Sequence, residues 1–364
     1  MNLDWLTTLL ETYGEGRLLF GTALTIGLVF GAAAQRSQFC MRAATVEVAE
    51  RRFGPRLLTW LFVFAAAVFV TQAAVLFELV DLSPARQLSA VGSMSGAIIG
   101  GLLFGIGMIL ARGCASRLLV LAATGNLRAI VTGLVLTLTA QAALSGVLAP
   151  AREGLAGLWL VDGGASRNVL ILLNLSRTLI LGIAIAAMIA LVIYGHTKLR
   201  VSLWKIAAAG LVGIAVAVGW IATGLIAMAS FEIVPVTSIT FTGPSSDTLM
   251  ALVTTRSLPL TFASGLVPGV AVGAALAALL AREFKIQRFD ADTPMESYLI
   301  GAVLMGFGSM LAGGCAVGAV VSGGAVMAVT GFVAGASMWA GAMGMTLLTA
   351  HLGRGRGNRG TAAI

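Results

Sequence analysis

The chain has 364 residues and three cysteines: Cys40, Cys114 and Cys315. Two of them close nearly matching blocks, FGIGMILARGCA at 104–115 and MGFGSMLAGGCA at 305–316. Seven of the twelve positions agree without a gap, including Gly105/Gly306, Gly107/Gly308, Gly113/Gly314 and Cys114/Cys315. In a chain this rich in Gly and Ala some matches come free, but a paired cysteine does not. Cys114 and Cys315 each follow a glycine and open a short apolar segment. Cys40 opens another, beginning Cys40-Met41-Arg42. A helix N-terminus carries unsatisfied N–H groups and partial positive charge. A thiol placed there is polarised and donates to an anion, and the amides beside it hold the anion's oxygens. The chemistry on offer is a soft, sulfur-compatible path for an anion.

Other thiol chemistry lacks its parts. An odd number of cysteines gives no closed disulfide framework. No C-x-x-C occurs, so a dithiol redox motif and the usual zinc spacing are missing, and neither a metal nor a cofactor is expected. His196 and His351 are the only histidines. Both sit at or beside basic span ends, far in sequence from any cysteine, so a His-assisted nucleophile has no support. Arg36, Arg42, Arg112 and Arg117 flank the first-half cysteine segments and can draw an anion inward. Snorkelling to headgroups explains such arginines equally well.

The elements that must hold these residues follow from composition. Apolar residues make up 58% and charged residues 10%, with 46 glycines and a mean hydropathy of +0.98. Soluble domains carry about 25% charged residues. This composition excludes a cytosolic enzyme, a nucleic-acid binder and a disordered chain. The predicted fold is an all-α integral membrane protein. A spanning helix needs about 20 mostly apolar residues, and nine runs qualify: 17–35, 57–79, 94–112, 127–149, 174–195, 203–228, 259–281, 295–313 and 325–350. The runs do not alternate in polarity, which excludes a barrel.

The net charge of +8 resolves into clusters between spans rather than a nucleic-acid face. Residues 1–16 hold Asp4, Glu11 and Glu15 without a basic residue, which is the wrong polarity for a cleavable signal. Arg42, Arg51, Arg52 and Arg56 follow span one. Alternate counting puts Lys198, Arg200 and Lys205 on the same side. Arg282, Lys285 and Arg288 join them, as do Arg354, Arg356 and Arg359. By the positive-inside rule the N-terminus is expected outside and the C-terminus inside. Loops 80–93 and 150–168 fall outside, with few and mixed charges.

Four apolar stretches are too short to cross: 38–50, 114–124, 231–256 and 315–324. Broken by Gly or Pro, they are expected as three to four re-entrant or half helices. Span three then runs inward and span eight outward, so the duplicated block is expected in two inverted repeats. The expected organisation is an outer segment 1–16, a first half 17–150 and a loop with connector span over 151–200. A second half 201–350 and a basic inner tail 351–364 complete it. Inverted repeats with broken helices mark permeation proteins, whose sites lie where the halves meet. Gly113, Gly313 and Gly314 are expected to serve the backbone breaks, and Gly96 to Gly107 to serve close helix packing. Cys40 precedes Cys114 by 74 residues, and the same step back from Cys315 lands on Phe241, within Ser238–Pro244. There hydroxyls and a Gly-Pro break are expected to replace the first-half thiol, with Thr242 and Gly243, like Gln38 before Cys40, as supporting break or funnel residues.

At Gln35-Arg36-Ser37-Gln38-Phe39-Cys40 and the two Gly-x-Gly…Gly-Cys blocks, the chain resembles the YeeE/YedE family of sulfur-compound permeases. The span pattern extends the likeness over most of the chain. The resemblance implies a bacterial inner-membrane protein for thiosulfate uptake, with long helices around short inserted ones. It implies that three central cysteines, here Cys40, Cys114 and Cys315, pass thiosulfate by S–H hydrogen bonds. It also implies work beside a small TusA-like sulfur-carrier protein, and some branches are linked to selenium or other sulfur species. Arg112 and Arg117 stand where the second copy has Gly313 and Gly318, which leaves the exact anion open. The leading expectation is a permease for thiosulfate or a similar small sulfur anion, entering near 231–256 and Cys315 and leaving past Cys114 and Cys40. The alternatives are a membrane-embedded thiol or persulfide sulfurtransferase, which lacks a general base, and a non-catalytic scaffold.

Overall fold

The computed structural model describes residues 4–288 and 295–360, with side chains through His351. The chain enters with α1 (Asp4–Tyr13) and α2 (Glu15–Ser37), breaks, and resumes as the short α3 (Met41–Ala49). Next come α4 (Pro55–Leu76), the single turn α5 (Arg86–Ser89), α6 (Met94–Leu110), the short α7 (Ala115–Ala123) and α8 (Leu127–Ser145). The small helices α9 (Ala149–Ala156) and α10 (Val169–Leu172) lead to α11 (Arg177–Thr197) and α12 (Leu203–Ala229). Then follow α13 (Thr242–Thr254), α14 (Phe262–Leu280) and α15 (Met295–Leu311). A π-helical turn, Ala316–Ser322, runs into α16 (Gly323–Ala325), and α17 (Val329–Gly360) closes the described chain. One ribbon, β1 (Gly92–Ser93) with β2 (Leu160–Val161), pairs antiparallel with Gly92 opposite Val161.

Among the described residues, nine helical segments are long and apolar enough to cross a bilayer. They fall on the nine predicted runs. Three include a short helix after the break: Glu15–Ala49, Met94–Ala123 and Met295–Ala325. The chain is a multi-pass helical membrane protein. Its starts carry readable signals. Ser93 Oγ accepts from Gly96 N–H at the head of α6 (2.7 Å), and Asn126 Oδ1 accepts from Ala129 N–H at the head of α8 (3.0 Å). Pro55 opens α4, where a missing N–H costs nothing. The Glu47 carboxylate accepts from the Leu57 N–H beside it (2.8 Å).

Long helices pack in a definite order. α2 lies along α14 and α12, and α6 lies along α17 and α15. α12 also lies along α4, and α15 along α8. Lipid supplies no hydrophobic force between helices, so close backbone approach carries the association. At the α6–α15 crossing a Cβ on Gly100 would fall 2.5 Å from the Gly308 carbonyl oxygen. A Cβ on Gly107 would fall 2.5 Å from that of Gly301. The glycines of 96–107 therefore serve packing, as expected. α11 touches chiefly α4, and Ile183, Ile189 and Ile193 on it are more than half exposed, a face suited to lipid.

Some expectations need correction. The stretch 231–256 is helical only over Thr242–Thr254, and residues 231–241 form neither helix nor strand. Pro235 and the β-branched residues of 233–242 disfavour helix there. The last span begins at Val329 rather than 325, because Gly323–Ala325 belong to the short helix before it. Span four ends at Ser145, with Gly146 after it. Within the first sixteen residues, α1 packs Leu6 and Leu10 against Ile226. Residues 1–3 and 361–364 lie outside the described residues. The tail arginines Arg354, Arg356 and Arg359 lie outside the described side chains.

Candidate functional site

Each cysteine occupies the residue before a short helix, at a break made by a left-handed residue. α2 ends at Gln38 (φ 55°), and Cys40, in extended conformation, caps α3. α6 ends at Arg112 (φ 53°), and Cys114 caps α7. α15 ends at Gly313 (φ 79°), and Cys315 caps the π-helical turn. A left-handed residue after the last turn is a common way to end a helix. At the two duplicated breaks the turn falls on the aligned pair Arg112 and Gly313. Gly113 and Gly314 sit one residue later and do not carry it. Gly314 is instead required by space, since a Cβ there would fall 2.8 Å from the Ala319 nitrogen.

The three thiols form a pair and a single. Cys114 is buried and Cys40 is half-buried, and the two side chains are neighbours. Cys114 Sγ also lies 3.3 Å from Ser116 Oγ. Both sulfurs lie toward the first turn of their helices, near the N–H groups of Ala43 and Arg117. Cys315 is buried and faces a hydroxyl instead, with Thr240 Oγ1 at 3.8 Å from its Sγ. Thr240 therefore holds the place opposite Cys315 that Cys40 holds opposite Cys114. α7 touches the π-helical turn, and Cys114 and Cys315 sit in the same buried core.

The residues singled out of the Ser238–Pro244 segment, Thr242 and Gly243, lie two and three residues beyond Thr240. Thr242 heads α13, and its Oγ1 is buried without a hydrogen-bond partner. Gly243 beside it has open space where a Cβ would point. Thr240 comes into place because Gly318 leaves room: a Cβ on Gly318 would fall 2.0 Å from Thr240 Oγ1. The backbone around Thr240 is neither helix nor strand, and its buried polar groups need other partners. Ser238 Oγ donates to the Val216 carbonyl (2.6 Å) and Ser322 Oγ donates to that of Ile239 (2.7 Å). Thr223 Oγ1 donates to the Thr237 carbonyl (2.6 Å).

The four flanking arginines separate into two kinds. Arg42 and Arg117 lie close enough to Cys40 to act on it electrostatically, and Arg117 acts on Cys114 as well. Arg42 Nε is buried and unpartnered. Arg117 donates to Gln35 Oε1 (3.4 Å), and Gln35 donates to Glu283 (3.2 Å). Arg36 and Arg112 are exposed. Arg36 lines a surface groove with Val29 and Leu280, and Arg112 lies over the Tyr298 ring at 5.8 Å.

Two basic cavities lie beside the first and third breaks. One, of about 320 Å³, is lined by Gln38, Arg56, Arg200 and Lys205, beside the Cys40 break. The Gln38 carbonyl accepts from Arg56 there (3.4 Å). The other, of about 270 Å³, is lined by Arg86, Arg152, Arg167 and Gly313, beside the Cys315 break. α4 starts at the first cavity, and its 22 residues rise about 33 Å. Ten residues past its end the chain reaches Arg86 of the second. Sequence reasoning passed over Arg86, Arg152 and Arg167, because two short loops with mixed charge gave no sign that they converge.

Comparison with known proteins places this geometry among relatives. A family model described as "Sulphur transport" matches residues 36–344, an interval that contains all three cysteines. The thiosulfate transporter TsuA of Escherichia coli K12 is 28% identical over 314 residues, covering 82% of this chain and 85% of that protein. The thiosulfate transporter TsuA of Spirochaeta thermophila is 28% identical over 332 residues, covering 86% and 94%.

Proposed function

This chain belongs to the sulphur-transport family, and on that premise we propose that it is a permease for thiosulfate or a closely similar small sulfur anion. Cys40, Cys114 and Cys315 line its path. The observation that carries the reading is the shared device at three breaks, a cysteine at the head of a short helix, with a basic cavity beside the first and third breaks. A sulfur dianion leaving water needs donors that cost little to desolvate. S–H groups suit its terminal sulfur, and the N–H groups of helix first turns suit its oxygens.

The permease is read as two inverted repeats with re-entrant short helices. Packing supports this. The offset of 201 residues between Cys114 and Cys315 converts the contact of Gly100 with Gly308 into that of Gly301 with Gly107. It likewise pairs the contact of α2 with α14 to that of α12 with α4. The anion enters at the Arg86–Arg167 cavity on the outer side. It passes Thr240 and Cys315, then the Cys114–Cys40 pair, and leaves through the Arg56–Lys205 cavity into the cytoplasm. The positive-inside count supports that orientation in a bacterial inner membrane.

A dianion moving inward works against about 2.3 kcal/mol per charge per 100 mV. Coupled ions or rapid intracellular consumption must offset this, and a TusA-like sulfur carrier at the inner face would serve as the consumer. The test is thiosulfate uptake by an uptake-deficient strain expressing Cys40→Ala, Cys114→Ala or Cys315→Ala at wild-type membrane levels. Each variant is expected to lose most uptake. Full uptake in all three overturns the thiol path.

A further inference from the structure

The cavity beside Gly313 has a charge balance that packing alone does not explain. Arg167 is 6% exposed. Its Nη1 donates to the Ala90 carbonyl (2.5 Å) and its Nη2 to Thr330 Oγ1 (2.7 Å), tying the loop to α17. Its Nε is buried and has no partner. The space for its guanidinium exists only because residue 92 is glycine, where a Cβ would fall 2.5 Å from Arg167 Cζ. Arg86, on the same cavity, is exposed and donates to the Gly313 carbonyl (3.3 Å). Arg152 also lines it, but Glu153 pairs with that residue (2.9 Å).

Among the described residues the ion pairs are Arg52–Glu50 and Arg152–Glu153. Arg86 and Arg167 therefore face one cavity without a carboxylate between them. A buried charge left unpaired is costly. Burial, and then the neighbouring Arg86, hold the Arg167 pKa below its ordinary value. A bound anion relieves both effects. The cavity holds about 270 Å³. Since a water's share of liquid is about 30 Å³, it accommodates a small oxyanion with several waters.

We propose that this cavity is a capture site for a small divalent oxyanion, held by Arg167 and Arg86 and delivered to the Cys315 break through Gly313. The delivery step rests on the permease reading above; the binding step does not. Arg86 links the two places directly, because it touches the anion's cavity and the carbonyl of the left-handed residue that ends α15. Capture at a guanidinium pair is selective for charge rather than for sulfur, so sulfate competes here. The thiols further in are what distinguish thiosulfate.

The experiment measures binding of radiolabelled thiosulfate and sulfate to the purified protein, alongside concentration-dependent thiosulfate uptake in proteoliposomes. Arg86→Gln is the main variant, because the side chain is exposed and its loss spares the fold. Arg167→Lys and Arg167→Gln form a charge-keeping and charge-losing pair. Loss of one charge-assisted contact is expected to weaken binding of both anions about tenfold. The uptake KM should rise by a similar factor, with little change in maximal rate. Arg167→Lys should fall between wild type and Arg167→Gln. Cys315→Ala should fail in uptake. Unchanged binding and KM in Arg86→Gln and in folded Arg167→Gln overturn the capture site while leaving the permease reading intact. Arginine-dependent binding without any thiosulfate uptake by the wild type overturns the permease reading and the delivery step, and keeps the site.

Discussion

Replacing Gly318 with alanine tests whether Thr240 and Cys315 work as a packed pair. The new Cβ would fall 2.0 Å from Thr240 Oγ1 and 2.5 Å from Thr240 Cβ. Non-bonded carbons rest about 3.5–4.0 Å apart, so Thr240 must retreat by roughly 1–1.5 Å. Its Oγ1 now stands 3.8 Å from Cys315 Sγ, already a long contact, and a retreat of that size breaks it. Relaxation is restricted, because the preceding residues Ser238 and Ile239 are tied to Val216 and Ser322. Overpacking then costs about 3 kcal/mol, the upper end for a core site. The gain in helix propensity from Gly to Ala returns about 1 kcal/mol, leaving a net loss of about 2 kcal/mol. With roughly 2 °C per kcal/mol for a chain of this size, the melting temperature in detergent falls by roughly 4 °C.

Initial-rate uptake of labelled thiosulfate should fall with it. The double variant Gly318→Ala/Thr240→Gly removes both clashing atoms, and the nearest remaining one is Thr240 Cα at 3.3 Å. Relative to Thr240→Gly alone, the alanine should then cost little stability, a coupling of more than 1 kcal/mol in the cycle. Uptake should stay low, because the hydroxyl opposite Cys315 is gone. A Gly318→Ala protein that melts and transports like wild type refutes the pairing. So does a cycle with no coupling.

Two further outcomes follow from the same geometry. Gly107→Val places a side chain where a Cβ would already fall 2.5 Å from the Gly301 carbonyl oxygen; forcing α6 from α15 should lower the folded yield on size-exclusion chromatography, whereas Gly133→Ala, with nothing near its Cβ, should leave it unchanged. Arg112→Ala removes an exposed contact with Tyr298 worth about 0.5–1 kcal/mol and should leave uptake near wild type, whereas Arg117→Ala, beside both Cys40 and Cys114, should lower uptake several-fold at equal membrane levels; equal uptake by the two variants contradicts the division of the arginines.

Hydropathy alone located the spans of this protein, and it did so for a local reason. In lipid each backbone polar group must be satisfied within its own segment, so each crossing is written as a continuous apolar run. The places of the breaks were legible too, just before Cys40, Cys114 and Cys315, although at the second one Arg112 rather than Gly113 turns the chain. The repeat of Gly105, Gly107 and Cys114 at Gly306, Gly308 and Cys315 needed only comparison of the chain with itself. What pairs with what was not written locally. Cys40 meets Cys114 across 74 residues, and Thr240 meets Cys315 because Gly318 has no side chain. Arg86 and Arg167 converge on one cavity from loops that look unremarkable in sequence, since Gly92 opens space for a guanidinium. These arrangements depend on which missing Cβ atoms let distant backbones approach, and that is decided only when the helices pack.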